Sequence, residues 1–166
     1  MTINALHPMY TAKVMVSQMA ARKERSAIVV TSSGLGGRPV AGCVTYSSAK
    51  ACSSYMAQAL SYELQTNIDV MSWEAGSAGT KMFPAEKRAK MHPVGPAVDG
   101  MLRDLGRERL SYGSYKHDKM ASIFMSVPSG ILQTFMFKAM SKSYRDSMEQ
   151  VKADPSPNAY KEWLKR

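Results

Sequence analysis

One stretch of the chain, residues 26–50, constrains the fold more than any other. Residues 27–30 read Ala-Ile-Val-Val, and such a continuous run is typical of a strand that is buried on both faces of a parallel sheet. The run ends in Thr31, Ser32 and Ser33, and glycines and a proline then break the pattern. Ligands of open α/β sheets bind beyond the carboxyl ends of the strands. We therefore expect a functional site where this strand ends, at Ser33.

The residues after this loop predict a helix over about 45–65. Small and apolar residues recur there at helical steps of three and four: Ala49, Cys52, Met56, Ala59 and Leu60. Tyr46 and Lys50 lie one turn apart, so their side chains share a face of the helix. A cation beside a tyrosine stabilises the phenolate and makes the hydroxyl a better proton donor. Together with the Ser33 hydroxyl, which could hydrogen-bond a substrate oxygen, these residue types suit proton transfer to a carbonyl that receives a hydride.

The tyrosine–lysine spacing alone is weak support for catalysis. Two further pairs repeat it, Tyr112–Lys116 and Tyr115–Lys119, and an ordinary pair on a solvated helix face is the plain alternative. The pair at Tyr46 and Lys50 differs because a buried strand, a serine-rich strand end and a glycine-rich loop precede it. This combination favours the catalytic interpretation for that pair alone.

With these residues in place, the sequence resembles the short-chain dehydrogenase/reductase family, an NAD(P)-dependent group of oxidoreductases. The resemblance implies that Tyr46 is the general acid/base and that Lys50 holds the cofactor ribose and tunes Tyr46. It also implies that Ser33 orients the carbonyl and that Asn4 fills the family's fourth catalytic position. The alternative for Asn4 is a polar residue at the end of a strand or loop.

Three segments resemble one branch of the family most closely. They are RPVAGCVTYSSAK at 38–50, VDGMLRDLG at 98–106 and LSYGSYKH at 110–117. The branch contains very-long-chain 3-oxoacyl-CoA reductases and hydroxysteroid dehydrogenases. By this resemblance the cofactor is NADP(H) or NAD(H), and the substrate is a lipid-like carbonyl compound of fatty acid elongation or steroid metabolism. The expected location is the endoplasmic reticulum membrane, and otherwise the cell interior.

A second buried strand is predicted at 68–73, and the loop after it bears on the cofactor. By the resemblance, Gly76 and Thr80 bind the nicotinamide end of the cofactor, together with Tyr46 and Lys50. Glu74 brings a negative charge close to that expected site, unless its side chain faces solvent.

The remaining pattern indicates β-α-β-α-β with parallel strands. A helix from Pro8 to about residue 22, helices near 84–91 and 98–105, and a third strand at 110–112 complete it. The predicted fold is therefore the C-terminal half of a Rossmann-like doubly wound parallel sheet, with about three strands and C-terminal amphipathic helices. We assign 1–113 to this partial catalytic half, 114–145 to a helical substrate or membrane-interface segment, and 146–166 to a flexible tail.

Residues 120–137 contain no charge, but Pro128 divides them. They predict two short amphipathic helices, which either lie in a membrane interface, cover an apolar substrate pocket or pack into the domain core.

The phosphate-binding turn of the family, G-x-G-x-x-G, has no counterpart in this sequence. Gly34 and Gly36 begin such a motif, but Pro39 stands where the third glycine belongs. We therefore expect the nucleotide-binding half to be missing from this chain, as in a fragment, an incomplete gene model or a shortened paralogue. The strand at 26–32 would then have an open edge, which predicts aggregation, homodimerisation or pairing with a separate chain. The alternative function is accordingly that of a non-catalytic truncated paralogue, acting as a dimerising or membrane-surface module.

The composition of the chain limits the kinds of partner that it could bind. The net charge of +9 suits phosphorylated cofactors, anionic lipid surfaces or nucleic acid, but no nucleic-acid-binding motif accompanies it, so we expect no nucleic acid partner. Cys43 and Cys52 are too few for a secreted disulfide framework. The three histidines, His7, His92 and His117, lack the spacing of metal ligands, and no metal is expected.

Overall fold

The computed structural model describes residues 1–64, 67–81, 83 and 85–153, with the backbone alone for 143–148 and 150–153. The strands are β1 (Ser26–Thr31), β2 (Ile68–Trp73) and β3 (Leu110–Ser111). The helices are α1 (His7–Ala20), α2 (Val44–Glu63), α3 (Ala85–Arg88), α4 (Val94–Asp104), α5 (Tyr115–Ser126) and α6 (Ser129–Ala153).

The three strands form a parallel sheet in the order β1-β2-β3. Ser26 of β1 is opposite Ile68 of β2, and the register continues to Thr31 opposite Trp73. A helix follows each of the first two strands before the chain returns to the sheet, as α2 does between β1 and β2. The structure thereby confirms the predicted α/β class and the three parallel strands of a partial Rossmann-like sheet.

The core lies between the sheet and the first two helices. Met19 of α1 and Ala57 of α2 are buried against Val30, Ile68 and Val70 of the strands. Because β2 is the middle strand, its residues from Val70 to Ser72 are buried on both faces.

The prediction that β1 is buried on both faces holds only in part. Val30 is buried, Ile28 and Val29 are half-buried, and Ala27 is exposed. The reason is that β1 pairs with β2 alone among the described residues and is therefore an edge strand.

The first helix begins earlier than its sequence pattern indicates. A π-helical turn, Thr2–Leu6, leads directly into α1, and Pro8 lies in the first turn of that α-helix. Proline has no N–H to donate, so it is tolerated where the regular hydrogen-bonding pattern starts. The turn buries Ala5 and packs against α2.

The chain divides into two compact units. One comprises Met1–Pro39 and Val44–Val127, with the sheet and helices α1 to α5. The other comprises Val40–Cys43 and the chain from Pro128 onward. Inside this second unit, the Ala41 N–H donates to the side-chain oxygen of Gln133 at 2.7 Å.

The last two helices are separated at Pro128, as predicted: α5 ends at Ser126 and α6 begins at Ser129. Helix α6 continues to Ala153, so the first residues of the predicted flexible tail are helical; the rest of that tail, 154–166, lies outside the described residues. In the described part of the chain no single helix is long and apolar enough to cross a membrane. Helix α5 and residues Ser129–Lys142 reach that length and apolar composition only as a bent pair taken together.

Candidate active site

Polar residues stand side by side where the three strands end. Ser32 and Ser33 follow β1, Glu74 follows β2, and Tyr112 follows β3. Backbone hydrogen bonds continue the sheet past the strand ends: the Ser32 N–H donates to the Trp73 carbonyl, and the Glu74 N–H to the Ser111 carbonyl, each at 2.8 Å. The carboxyl edge of the sheet, where ligands of such folds bind, is therefore lined by hydroxyls and a carboxylate.

Lys50 is fixed to this edge by its side chain and by its backbone. Its ammonium donates to the carbonyl oxygen of Thr31 at 2.9 Å. Its own carbonyl accepts hydrogen bonds from the hydroxyls of Ser32, at 2.8 Å, and Ser53, at 3.0 Å. Burial lowers the pKa of Lys50, and the negative charge of Glu74 opposes that change.

Tyr46 lies one turn before Lys50, and the structure brings the two side chains together. The Lys50 ammonium nitrogen is 5.8 Å from the centroid of the Tyr46 ring. Tyr46 is 38% exposed, so a ligand can reach the ring. The shared helix face that the spacing indicates is present, while the catalytic roles of both residues stay predictions.

Ser33 begins the glycine-rich loop. Its hydroxyl oxygen accepts a hydrogen bond from the Leu35 N–H at 3.3 Å and caps the short 3₁₀ turn Gly34–Gly36. An oxygen that accepts in this way keeps its own hydrogen for donation. The orientation of Ser33 is thus set by the turn that follows it.

Gly36 brings this loop against α2. A Cβ atom at Gly36 would lie 2.8 Å from the carbonyl carbon of Lys50 and 2.9 Å from the nitrogen of Ala51, closer than real Cβ contacts. The glycine therefore permits contact between the loop and the helix backbone at Lys50. On its far side the loop is tied to α5, because the Arg38 guanidinium donates to the carbonyls of Phe124, at 3.0 Å, and Val127, at 2.8 Å.

Asn4 belongs to the π-helical turn Thr2–Leu6 and is half-buried. That turn packs against α2, the helix of Tyr46 and Lys50. Single π-turns are frequent at functional sites. The segment that carries Asn4 is thereby adjacent to the helix of the candidate site.

Glu74 does not face solvent, and that alternative was wrong. The residue is 2% exposed, and its Oε1 accepts a hydrogen bond from the Ser72 hydroxyl at 2.8 Å. Its Oε2 is buried and has no hydrogen-bond partner among the described residues.

Comparison with known proteins decides the family. The model of the short chain dehydrogenase family matches residues 1–91, which is more than half of the chain. The chain belongs to the short-chain dehydrogenases. The family resemblance inferred from the sequence is thereby confirmed, and members of the family generally use NAD(P)(H) as cofactor.

A solved structure agrees with this chain on the fold. A 7β-hydroxysteroid dehydrogenase, whose structure was studied for its stereoselectivity, matches with a TM-score of 0.64 and 19% identity, over 84% of this chain and 55% of its own. A short-chain dehydrogenase from Streptomyces avermitilis matches with a TM-score of 0.42 and 20% identity, over 89% of this chain and 58% of its own. No curated protein gives a significant match. The chain thus spans somewhat more than half the length of these two structures.

The two further cofactor residues expected in this short-chain dehydrogenase lie in the loop after β2. Gly76 lies on the imidazole of His117, where a Cβ would come within 2.5 Å of the ring. Thr80 is exposed, and its N–H donates to the Ala78 carbonyl at 2.8 Å. The part of Gly76 and Thr80 in cofactor binding stays a prediction.

Sequence reasoning missed Tyr112 as a member of this site and used it only as a comparison for the Tyr46 pair. Burial raises the pKa of Tyr112, and the negative charges of Glu74 and Asp118 raise it further. Its ring lies 4.0 Å from the position of a Cβ built on Gly34. The signal that could have found it is its place directly after a strand, like that of Ser33 and Glu74.

Near this edge, the buried His117 meets the half-buried His92. Their rings meet edge to face, with centroids 4.7 Å apart. His117 Nε2 lies 3.4 Å from the Ser77 carbonyl oxygen. Across the described residues, no group of three or more histidine, cysteine, aspartate and glutamate side chains could hold a metal ion.

Proposed function

We propose that this chain carries the proton-transfer part of an NAD(P)-dependent short-chain dehydrogenase that interconverts a keto and a hydroxy group on a lipid-like substrate. The observation that carries the proposal is the position of the Lys50 ammonium, bound to Thr31 at the end of β1 and 5.8 Å from the Tyr46 ring centroid. A proton donor, a neighbouring cation and a strand-end hydroxyl are the groups that can protonate and stabilise a carbonyl oxygen while a hydride is added to the carbon.

The residues divide the proton chemistry between them. Tyr46 gives its phenolic proton to the carbonyl oxygen as the carbon receives a hydride, and it takes the proton back in the reverse direction. The Lys50 ammonium stabilises the phenolate that this transfer leaves, because opposite charges attract strongly in a partly buried site. The Ser33 hydroxyl donates to the same oxygen as negative charge develops on it.

The nicotinamide cofactor supplies the hydride when it is bound. Lys50 suits the ribose, because an ammonium has three N–H donors and the Thr31 carbonyl takes one of them. Gly76 and Thr80 would hold the nicotinamide end by family resemblance. A phosphate-binding turn is not offered by Gly34–Gly36, since Gly36 packs against the backbone of Lys50. The residues named above thus suit the ribose and nicotinamide end of NADP(H) or NAD(H).

The lipid substrate rests on the likeness of residues 38–50, 98–106 and 110–117 to the branch of very-long-chain 3-oxoacyl-CoA reductases and hydroxysteroid dehydrogenases. Under this proposal a long-chain 3-oxoacyl-CoA or an oxosteroid is reduced with a higher kcat/KM than a small hydrophilic ketone. Equal values for the two classes would contradict the lipid assignment and leave the oxidoreductase assignment standing.

Replacement of the proton donor tests the central step. Tyr46→Phe should lower carbonyl reduction by about 10²–10⁴-fold, because the general acid is lost. Tyr55→Phe is the matched control: Tyr55 lies on the same helix, is 70% exposed, and should retain full activity. NADPH consumption measures both. Turnover retained in Tyr46→Phe would show that another group donates the proton.

A titration with NADPH, followed by protein fluorescence, tests cofactor binding without turnover. We expect saturable binding that weakens in Lys50→Met, since the ribose loses its ammonium donor. Absence of saturable binding would remove the oxidoreductase proposal for this chain.

A second candidate function, a non-catalytic membrane-surface module, is favoured by the outer face of α6. Ile131 and Phe135 are each 66% exposed and lie one turn apart. Lys138 and Lys142 follow on the same face and are exposed. An apolar helix face beside lysines binds at the interface of an anionic membrane. We propose this surface as the attachment to the endoplasmic reticulum membrane that the family resemblance implies.

Vesicle sedimentation tests the second candidate. Binding should be stronger to phosphatidylcholine vesicles that contain phosphatidylserine than to phosphatidylcholine alone. Phe135→Gln should weaken binding to both kinds, and Lys138→Gln should weaken binding to the anionic vesicles only. The absence of sedimentation with either kind would contradict it.

A further inference from the structure

The last turn of helix α5 has carbonyl groups that the helix itself does not satisfy. In a regular α-helix each carbonyl accepts from the N–H four residues later, and the last carbonyls lack that donor. The carbonyl of Ile123 is still satisfied, because the Val127 N–H donates to it at 3.2 Å. For Phe124 the residue four positions on is Pro128, and proline has no N–H. The end of α5 therefore needs a donor from another part of the chain.

Arg38 supplies this donor. Its Nη1 lies 3.0 Å from the carbonyl oxygen of Phe124, 3.2 Å from that of Met125 and 2.8 Å from that of Val127. A guanidinium is always protonated in proteins and has no acceptor, so it is the donor in each of these hydrogen bonds. It also brings a positive charge to the C-terminal end of the helix, where cations are stabilising. Arg38 thus caps α5 from outside the helix.

The same arginine directly follows the turn that Ser33 begins. The Gly36 N–H donates to the Ser33 carbonyl at 2.7 Å, and the Gly37 N–H donates to the Gly34 carbonyl at 3.3 Å. The Ser33 hydroxyl accepts from the Leu35 N–H within this turn. The orientation of the hydroxyl therefore depends on the turn, and the turn ends at the residue before the arginine.

Two helices hold this turn. Gly36 packs against α2, since a Cβ atom there would overlap the backbone at Lys50. Gly37 packs against α5, where a Cβ atom would lie 3.4 Å from the sulphur of Met125, an ordinary van der Waals distance. The hydrogen bonds of Arg38 add a polar attachment to α5, and hydrogen bonds from a charged donor are stronger than those between neutral groups. Arg38 therefore fixes the end of the turn that lies farther from Ser33.

We propose that Arg38 is a positioning residue for Ser33, which acts by attaching the turn after Ser33 to the C-terminal end of α5. The part of this proposal that concerns turnover rests on the proposed function, in which the Ser33 hydroxyl donates to the carbonyl oxygen of the substrate. The attachment itself is measurable in the protein alone. Its catalytic value follows from geometry, because a misplacement of about 1 Å can lower a rate by about 10²-fold.

Amide hydrogen exchange, resolved by residue with NMR, tests the attachment without turnover. Arg38→Met keeps an unbranched side chain and removes every side-chain N–H. We expect the Gly36 N–H to exchange at least about tenfold faster in this variant, because hydrogen bonds from a charged group are lost. Arg38→Lys keeps the charge and has three donors, so it should restore part of the protection. Arg107→Met, at an exposed arginine after α4, should leave the exchange at Gly36 unchanged.

The location of the change separates positioning from a merely structural role. If Arg38 only capped α5, exchange would become faster at the Val127 N–H and stay unchanged at the Gly36 N–H, and this result would overturn the proposal. Unchanged exchange at both amides would overturn it equally. Arg38→Lys covers the case in which Arg38→Met does not fold. Lysine lacks the planar fork of arginine, so exchange at Gly36 should still be faster than in the wild type, and wild-type exchange there would contradict the proposal.

In active protein, a double-mutant cycle tests whether Arg38 acts through Ser33. Arg38→Met should lower kcat by about tenfold or more and leave NADPH binding unchanged, because Lys50 keeps its bond to Thr31. In the Ser33→Ala background the same substitution should lower kcat little further. Equal losses in both backgrounds would overturn the positioning role. Absence of turnover in the wild type would refute the proposed function, and the exchange at Gly36 would then decide the attachment by itself.

Discussion

Lys50 shows how one residue of this chain is held by two different elements. Its ammonium is bound by a backbone carbonyl of β1, and its backbone carbonyl is bound by hydroxyls of Ser32, after β1, and Ser53, on α2. A lysine side chain loses considerable rotamer freedom when it is ordered. Bonds at both ends of the residue offset that cost and hold the ammonium at the Thr31 carbonyl, 5.8 Å from the centroid of the Tyr46 ring.

Gly36 is the residue on which this arrangement depends sterically. Gly36→Ala should destabilise the fold by about 1–3 kcal/mol, because the added methyl group overlaps the backbone at Lys50 and must push the loop from α2. Gly95→Ala is the matched control, since a Cβ at Gly95 meets nothing within 4 Å. Urea unfolding measures both variants. Equal stability of Gly36→Ala and the wild type would show that the loop yields without cost.

At the scale of single residues, the sequence predicts contacts between residues that are close in the chain and fails for contacts between residues that are distant in it. The Tyr46–Lys50 pair follows from helical spacing. The burial of Glu74 does not follow from the sequence, because the carboxylate is hydrogen-bonded to Ser72 of β2, and the Ser72 hydroxyl in turn meets that of Ser54 on α2. No local sequence pattern indicates that those two serines are in contact. The alternative that Glu74 faces solvent was therefore reasonable, but it was wrong.

At the scale of elements, the apolar runs predict β1 and β2 to within a residue or two, and Pro128 predicts the break between α5 and α6. The same reasoning gives too little helix at both termini. Proline at position 8 does not exclude a preceding π-helical turn, and α6 continues past residue 146 to Ala153. Strand β3 has only two residues, and so short a pattern says little about which residues pack beside the strand.

The pairing of β1 with β2 is reinforced by an ion pair at the start of the strands. Arg25 donates to both carboxylate oxygens of Asp69, at 2.7 Å each. This contact lowers the pKa of Asp69, first through the hydrogen bond. A lowered pKa in the folded state means that the contribution to stability is present above the pKa of the unfolded chain and disappears as the pH falls through the folded value.

Arg25→Gln tests this contribution through its pH dependence. The variant should be slightly less stable than the wild type at neutral pH, by the small amount typical of exposed pairs. The difference should vanish in acid, once Asp69 is protonated in both proteins. Urea unfolding at several pH values measures it, with Asp69→Asn as the background in which Arg25→Gln has no effect. A difference that persists in acid would contradict the electrostatic origin.

For the molecule as a whole, the sheet edge at β1 is the feature with the widest consequence. The N–H groups of Ser26 and Ser32 donate to Asn67 and Trp73, on the side of β2. Because successive residues of a strand alternate in direction, the backbone groups of Ala27 and Val29 face the other side, where the described residues provide no strand. An edge of this kind pairs readily with another chain, and we expect the protein to self-associate through it.

Proline substitution separates the two sides of β1. Ala27→Pro removes an N–H from the open side and leaves the bonds to β2 intact, so the variant should fold and self-associate more weakly than the wild type. Ile28→Pro removes an N–H that faces β2 and should destabilise the fold by about 3 kcal/mol or more. Sedimentation velocity over a range of protein concentrations measures association, and circular dichroism measures folding. Equal association of Ala27→Pro and the wild type, both folded, would show that the chain associates through another surface, because a proline in the open edge cannot continue a hydrogen-bonded sheet across it.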